Sequence, residues 1–146
     1  MGSFQLLVVL LVAALVNLRC PVLLLPASAQ SLTDMYYKCS RNRNYTTGSL
    51  FESNLSNMLF SIVSGNEVSS GFYNVSEGSG GDRVYSVALC RGDLRQDYCR
   101  SCVNASSHEI MDLCLNQKEA IMWSNDCMLR YSDQSLFGVL DFRYSY

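Results

Sequence analysis

The sequence predicts an α+β domain with an antiparallel sheet, and three observations lead there. Two segments carry apolar residues at helical spacing, four or five short runs of β-forming residues surround them, and the order shows no regular βαβ alternation. At 146 residues the chain has room for about one ordinary domain, which excludes a multidomain enzyme.

The first segment is a leader. Phe4 to Val16 reads FQLLVVLLVAALV, followed by VLLLP and the small residues Ala27 and Ala29, the pattern of a secretory signal peptide over residues 1–29 cleaved after Ala29. Asn17, Arg19 and Pro21 interrupt the apolar run before it reaches the ~20 residues that span a bilayer. No Lys or Arg precedes Arg19, so the usual basic start is missing. The mature chain, 30–146, is then a single domain with a formal charge of −3, from 10 basic and 13 acidic residues. Cleavage removes Cys20 and leaves an even six cysteines: Cys39, Cys90, Cys99, Cys102, Cys114 and Cys127. Even parity on an oxidising route points to three disulfides. Four sequons, at Asn44, Asn54, Asn74 and Asn104, fit the same compartment as glycosylation candidates. No second hydrophobic segment of spanning length follows, so no membrane span is expected in the mature chain, which should be secreted and extracellular.

From Ser49 to Val63, Phe51, Leu55, Met58, Leu59, Ile62 and Val63 fall three and four apart, predicting an amphipathic helix with Ser49 as its N-cap. Gly71 to Val75 reads as a strand, Glu77 to Gly81 as a turn and Val84 to Leu89 as a second strand. Helical spacing returns between Leu94 and Cys114; Ala120–Ser124, Cys127–Tyr131 and Phe137–Phe142 read as further strands. Trp123 is expected in the core or on a sheet face.

The residues argue against most chemistry. The 11 Lys+Arg and 13 Asp+Glu are scattered, so no basic face for nucleic acid is expected. Cys99 and Cys102 form a Cys-x2-Cys pair, but a zinc site needs two more closely spaced ligands and His108 is the only histidine; no metal or other cofactor is expected. With one histidine, between Ser107 and Glu109, no hydrolytic triad can be assembled. The chain is therefore not expected to be an enzyme, although exchange between the close pair and Cys90 leaves a thiol redox sensor open. Gly78-Ser79-Gly80-Gly81 lacks the Lys-Ser/Thr of a phosphate loop, and Arg91-Gly92-Asp93 is too short a match to assign a role.

Cys90-x8-Cys99-x2-Cys102, with Cys39 upstream and Cys114 and Cys127 downstream, resembles the plant Gnk2-homologous domain, also called DUF26 or the stress-antifungal domain. Leu55, Met58 and Leu59, the Gly-Ser-Gly-Gly turn, Val84-Tyr85 and Cys127-Met128-Leu129-Arg130-Tyr131-Ser132 carry the same resemblance, which spans nearly all of 36–142. Spacing cannot choose among the 15 pairings of six cysteines. The resemblance implies Cys39 with Cys114, Cys90 with Cys99 and Cys102 with Cys127, and two helices packed on a five-stranded antiparallel sheet. It also implies a choice of roles, since the family includes mannose-binding antifungal lectins, cysteine-rich repeat secretory proteins, plasmodesmal proteins and the ectodomains of cysteine-rich receptor-like kinases. The mannose-binding member holds its sugar with an Asn, an Arg and a Glu at positions that here are Ser40, Ile121 and Ser132. None of the three reproduces its counterpart, so that sugar site is expected to be non-functional. The resemblance favours a secreted, non-enzymatic apoplastic interaction module in stress or defence that associates with a related receptor-like kinase ectodomain or secreted domain. A mannose-type antifungal lectin, with sugar bound elsewhere, is the alternative.

Overall fold

The computed structural model describes residues 35–65 and 71–138. The expected leader, 1–29, lies outside them. The element order is β1 (Tyr36–Cys39), α1 (Leu50–Ser64), β2 (Phe72–Glu77), a 3-10 turn (Gly80–Asp82), β3 (Val84–Cys90), α2 (Gln96–Leu113), β4 (Glu119–Trp123) and β5 (Cys127–Ser132). The five strands form one antiparallel sheet in the order β1-β4-β5-β3-β2.

α1 begins where the sequence places it. The Ser49 hydroxyl accepts the Glu52 amide at 3.4 Å, and the Glu52 carboxylate accepts the Gly48 amide at 2.5 Å, so two otherwise unpaired N–H groups are satisfied reciprocally. Phe51, Leu55, Met58, Leu59 and Ile62 recur at three- and four-residue intervals and are buried on the sheet side. α2 buries Cys99, Val103, Ser106, Ser107 and Ile110 at the same spacing. Both helices cover one face of the sheet, where Tyr73, Val84, Ala88, Ala120, Met122, Leu129 and Tyr131 complete the core.

The structure joins Cys39 to Cys114, Cys90 to Cys99 and Cys102 to Cys127, the same three pairs that the family resemblance implies. Cys99 and Cys102 lie within α2 and Cys114 directly follows it, so every bridge ties this helix to a strand: β3, β5 and β1 in turn.

One strand differs from expectation. The fifth strand among the described residues is β1, whose Tyr36, Tyr37 and Lys38 are exposed and show no alternation. The expected strand over 137–142 is not formed where it can be followed: Phe137 and Gly138 lie in a bend, and 139–142 fall outside the described residues. Phe137 instead packs edge-on against Tyr85 with ring centroids 5.9 Å apart, so the chain after β5 folds back over the sheet.

Candidate interaction surface

The register of the sheet sets what its helix-free face presents. Side chains alternate across a strand, and the pairing aligns Tyr36, Trp123, Met128, Leu89 and Phe72 in one row across all five strands. This row is wholly apolar or aromatic. Tyr36 is 62% exposed, Phe72 49% and Leu89 47%, while Trp123 and Met128 are half-buried. The next row is Lys38, Ile121, Arg130, Val87 and Asn74.

The third row is sealed. It contains Glu119, Ser132 and Tyr85, and the first two are fully buried. Arg43, in the loop after β1, donates from Nη2 to Glu119 and from Nη1 to Asp133 at 2.5 Å, and Arg130 Nη2 donates to the other Glu119 oxygen at 2.9 Å. A carboxylate this deeply buried requires such pairing, because an unpaired charge out of water is strongly unfavourable. On the same side, the Gln134 amide donates to the Ser132 hydroxyl at 3.1 Å, and the Asp133 amide to the Lys118 carbonyl at 3.1 Å. The open face thus has a polar end closed by an internal ion cluster and an apolar end at which Tyr36, Leu89 and Phe72 stay exposed.

The three positions of the family's sugar site come together at the closed end. The Ser40 amide donates to the Glu119 carbonyl at 2.9 Å, Ser132 stands opposite Glu119, and Ile121 stands opposite Arg130. Where the resemblance puts an arginine at 121 and a glutamate at 132, this chain has Arg130 and Glu119 directly across the β4–β5 pair, bound to each other. Ser132 has no exposed surface.

The four sequons fall in four environments. Asn44 is exposed beside β4, bridging to Gln117; Asn74 is exposed on edge strand β2; Asn104 is half-buried on α2. Asn54 is buried in α1 and donates from Nδ2 to the Asp82 carbonyl at 2.9 Å.

The remaining chemical candidates are not assembled into a site. His108 is exposed on α2, and among the described residues no group of three His, Cys, Asp or Glu could hold a metal. In Arg91-Gly92-Asp93 the guanidinium turns inward on its own tripeptide, donating to Asp93 at 2.6 Å and lying 3.1 Å from Asp126. The hydrogen bond from Arg91 holds the exposed Asp93 carboxyl below its ordinary range, as the bond from Arg95 does for Asp97. Each disulfide has at least one buried partner: Cys114, Cys127, and both Cys90 and Cys99.

Sequence reasoning missed the Arg43, Glu119, Arg130 and Asp133 cluster, whose members are scattered along the chain and meet only through strand register. It also missed the apolar row. The signal for the row lay in β3 and β4, where Val87, Leu89, Ile121 and Trp123 make the second alternating set apolar as well, which marks strands with two apolar faces where only one can be covered by two helices.

The family model described as salt stress response/antifungal matches residues 38–134. The chain is 38% identical over 117 residues to "Cysteine-rich repeat secretory protein 38" of Arabidopsis thaliana, covering 80% of this chain and 46% of that protein. It is 37% identical over 116 residues to "Putative cysteine-rich receptor-like protein kinase 20" of the same plant, covering 79% of this chain and 17% of the kinase. Among solved structures, the tandem DUF26 ectodomain of the Arabidopsis thaliana cysteine-rich receptor-like protein PDLP5 is similar with a TM-score of 0.68 and 28% identity, over 74% of this chain and 54% of that one. The chain spans about half the length of the secretory relative and of the PDLP5 ectodomain, and under a fifth of the kinase. Among the described residues no helix is long and apolar enough to cross a membrane.

Proposed function

Because the chain belongs to the salt stress response/antifungal (DUF26) family, whose extracellular domains occur in cysteine-rich receptor-like kinases and secretory proteins, we propose that it is a secreted, non-enzymatic interaction module of the plant apoplast. It works in stress or defence signalling by docking a second domain of its own fold, such as a receptor-like kinase ectodomain. The observation that carries this reading is the open apolar row from Tyr36 to Phe72. A contiguous exposed apolar surface with a polar margin is characteristic of interaction sites, and a sheet face of this kind is covered by another sheet or helix layer. The tandem arrangement named for the PDLP5 ectodomain supports a partner of the same fold.

The lectin reading is weaker, because the guanidinium and carboxylate nearest the family's sugar positions are committed to each other rather than to a ligand. A redox-sensor reading is disfavoured by the burial of sulfur partners in all three bridges.

The test is binding of the secreted chain to a tandem DUF26 ectodomain, followed by interferometry, with Leu89→Asp and Phe72→Asp as variants. Binding that falls at least tenfold in the variants, at unchanged melting temperature, is expected. Equal binding by the variants, or no ectodomain bound by the native chain, overturns the reading. Mannan binding by the native chain would move the lectin to first place.

A further inference from the structure

A long groove runs between the outer sides of α1 and α2, and one residue stands at its middle. Toward the start of α2 it opens into a cavity of about 530 Å³ lined by Gln96, Asp97, Arg100 and Ser101; toward the other end, into one of about 410 Å³ that includes Phe60 and His108. Asn104 and Val63 line both. Either volume is within the roughly 300–1,000 Å³ of small-molecule sites. Phe60 is 73% exposed beside this groove, an unusual position for a large aromatic on a helix otherwise buried on its apolar side. The Asn104 carboxamide makes no hydrogen bond among the described residues, unlike that of Asn54.

We propose that Asn104 carries an N-linked glycan whose first sugars lie in this groove, packed on Phe60. The occupant is specified by the chain itself, since Asn104-Ala105-Ser106 is a glycosylation sequon and the groove extends from that asparagine in both directions. A pyranose presents C–H groups on its faces and hydroxyls around its rim. The Phe60 ring suits the former, and Ser56, Ser64, Gln96 and Arg100 along the walls suit the latter. Asn54 is the contrasting case: its nitrogen is buried against the Asp82 carbonyl, and a Cβ at Gly78 would stand 2.2 Å from it, so a sugar there has no room.

The geometry also fixes the order of events. Ser106, the hydroxyl residue of the sequon, is fully buried with Oγ 3.6 Å from Cys127 Sγ. The sugar must therefore be attached before α2 docks and the Cys102–Cys127 bridge closes. The donor is a polyprenyl-pyrophosphate oligosaccharide of the secretory route: its anomeric C–O bond to pyrophosphate breaks, a C–N bond to Asn104 Nδ2 forms, and the amide loses one proton. The inference rests on the secretory route proposed above.

The test uses the full chain expressed in plant cells, with medium and cell extract collected separately. Glycans are released enzymatically in heavy-oxygen water and peptides are scored for labelled aspartate. Label at Asn104 and none at Asn54 is expected. Label at Asn44 or Asn74 without Asn104, or label at no sequon, overturns this inference alone, and a chain found only inside the cells overturns the secretory reading with it. Phe60→Ala should lower the melting temperature by about 4 °C in the glycosylated protein and by under about 1 °C after enzymatic removal of glycan from the folded protein. An equal shift before and after removal means that the sugar does not rest on Phe60, and overturns the placement.

Discussion

α1 and α2 pack on the same side of the same sheet, yet they are held by different means. α1 presses Phe51, Leu55, Met58, Leu59 and Ile62 into the core and contributes no cysteine. α2 offers only Val103 and Ile110 as large buried aliphatics, beside two serines, and is tied to β1, β3 and β5 by all three disulfides. Apolar contact and covalent closure are thus alternative solutions to the same problem, and this domain uses one for each helix. A helix with a weak apolar face can dock if the unfolded chain is constrained enough to reduce the entropy it loses on folding.

The sharpest way to break this comparison is to open the bridges one at a time. Cys39→Ala/Cys114→Ala removes a closure across 75 residues and should cost about 4.5 kcal/mol, against about 2.6 kcal/mol for Cys90→Ala/Cys99→Ala across 9, by loop-closure entropy. Denaturant unfolding of both variants checks the ranking, and an equal loss would mean that α2 is fastened by local packing instead. The corresponding test of α1 is Leu55→Ala, fully buried, with an expected loss of about 3 kcal/mol. Hydrogen exchange should then show α1 amides opening before those of α2, while reduction of the native protein should reverse that order.

Smaller effects sharpen the contrast further. Gly78→Ala forces a side chain at φ +81° and against Asn54, the polar contact of α1 with the turn before β3, for a loss of about 2 kcal/mol. Adding Asn54→Ala should recover part of it in a double-mutant cycle by thermal melting, and strictly additive losses would show that the clash is absent. Ser49→Ala removes the α1 cap and should cost about 1 kcal/mol, read from helix content and melting temperature.

The smallest effect at neutral pH concerns the tyrosines beneath the helices. Burial raises the phenols of Tyr131, Tyr45 and Tyr73 above the ordinary value, with the Tyr131 shift the largest. A raised phenol keeps its proton in the folded chain after the unfolded chain has lost it. Stability from these groups is therefore fully present below about pH 10 and declines as pH rises beyond it. Ultraviolet titration should show the three ionising late, together with loss of structure; early, reversible ionisation of all nine would contradict their burial.

Much of this architecture is legible in the sequence because periodicity is local. Leu55, Met58 and Ile62 announce α1, and Ser49 marks its start. β1 is not legible, because Tyr36-Tyr37-Lys38 is short, exposed and defined only by its pairing with β4. The ion cluster is hidden for a related reason: Arg43 meets Glu119 across 76 positions, and no window of sequence contains both. The apolar row was masked by the near-continuous hydrophobicity of β3, where Leu89 reads as core although it faces away from the helices.

The closed loops of the bridges have a consequence for how the domain meets proteases. The 39–114 loop and the 102–127 loop overlap, so together they enclose every peptide bond between Cys39 and Cys127. A protease that cuts once anywhere in that span produces two ends but no fragment; the molecule stays one covalent piece until a thiol intervenes. Such topology separates being nicked from being destroyed.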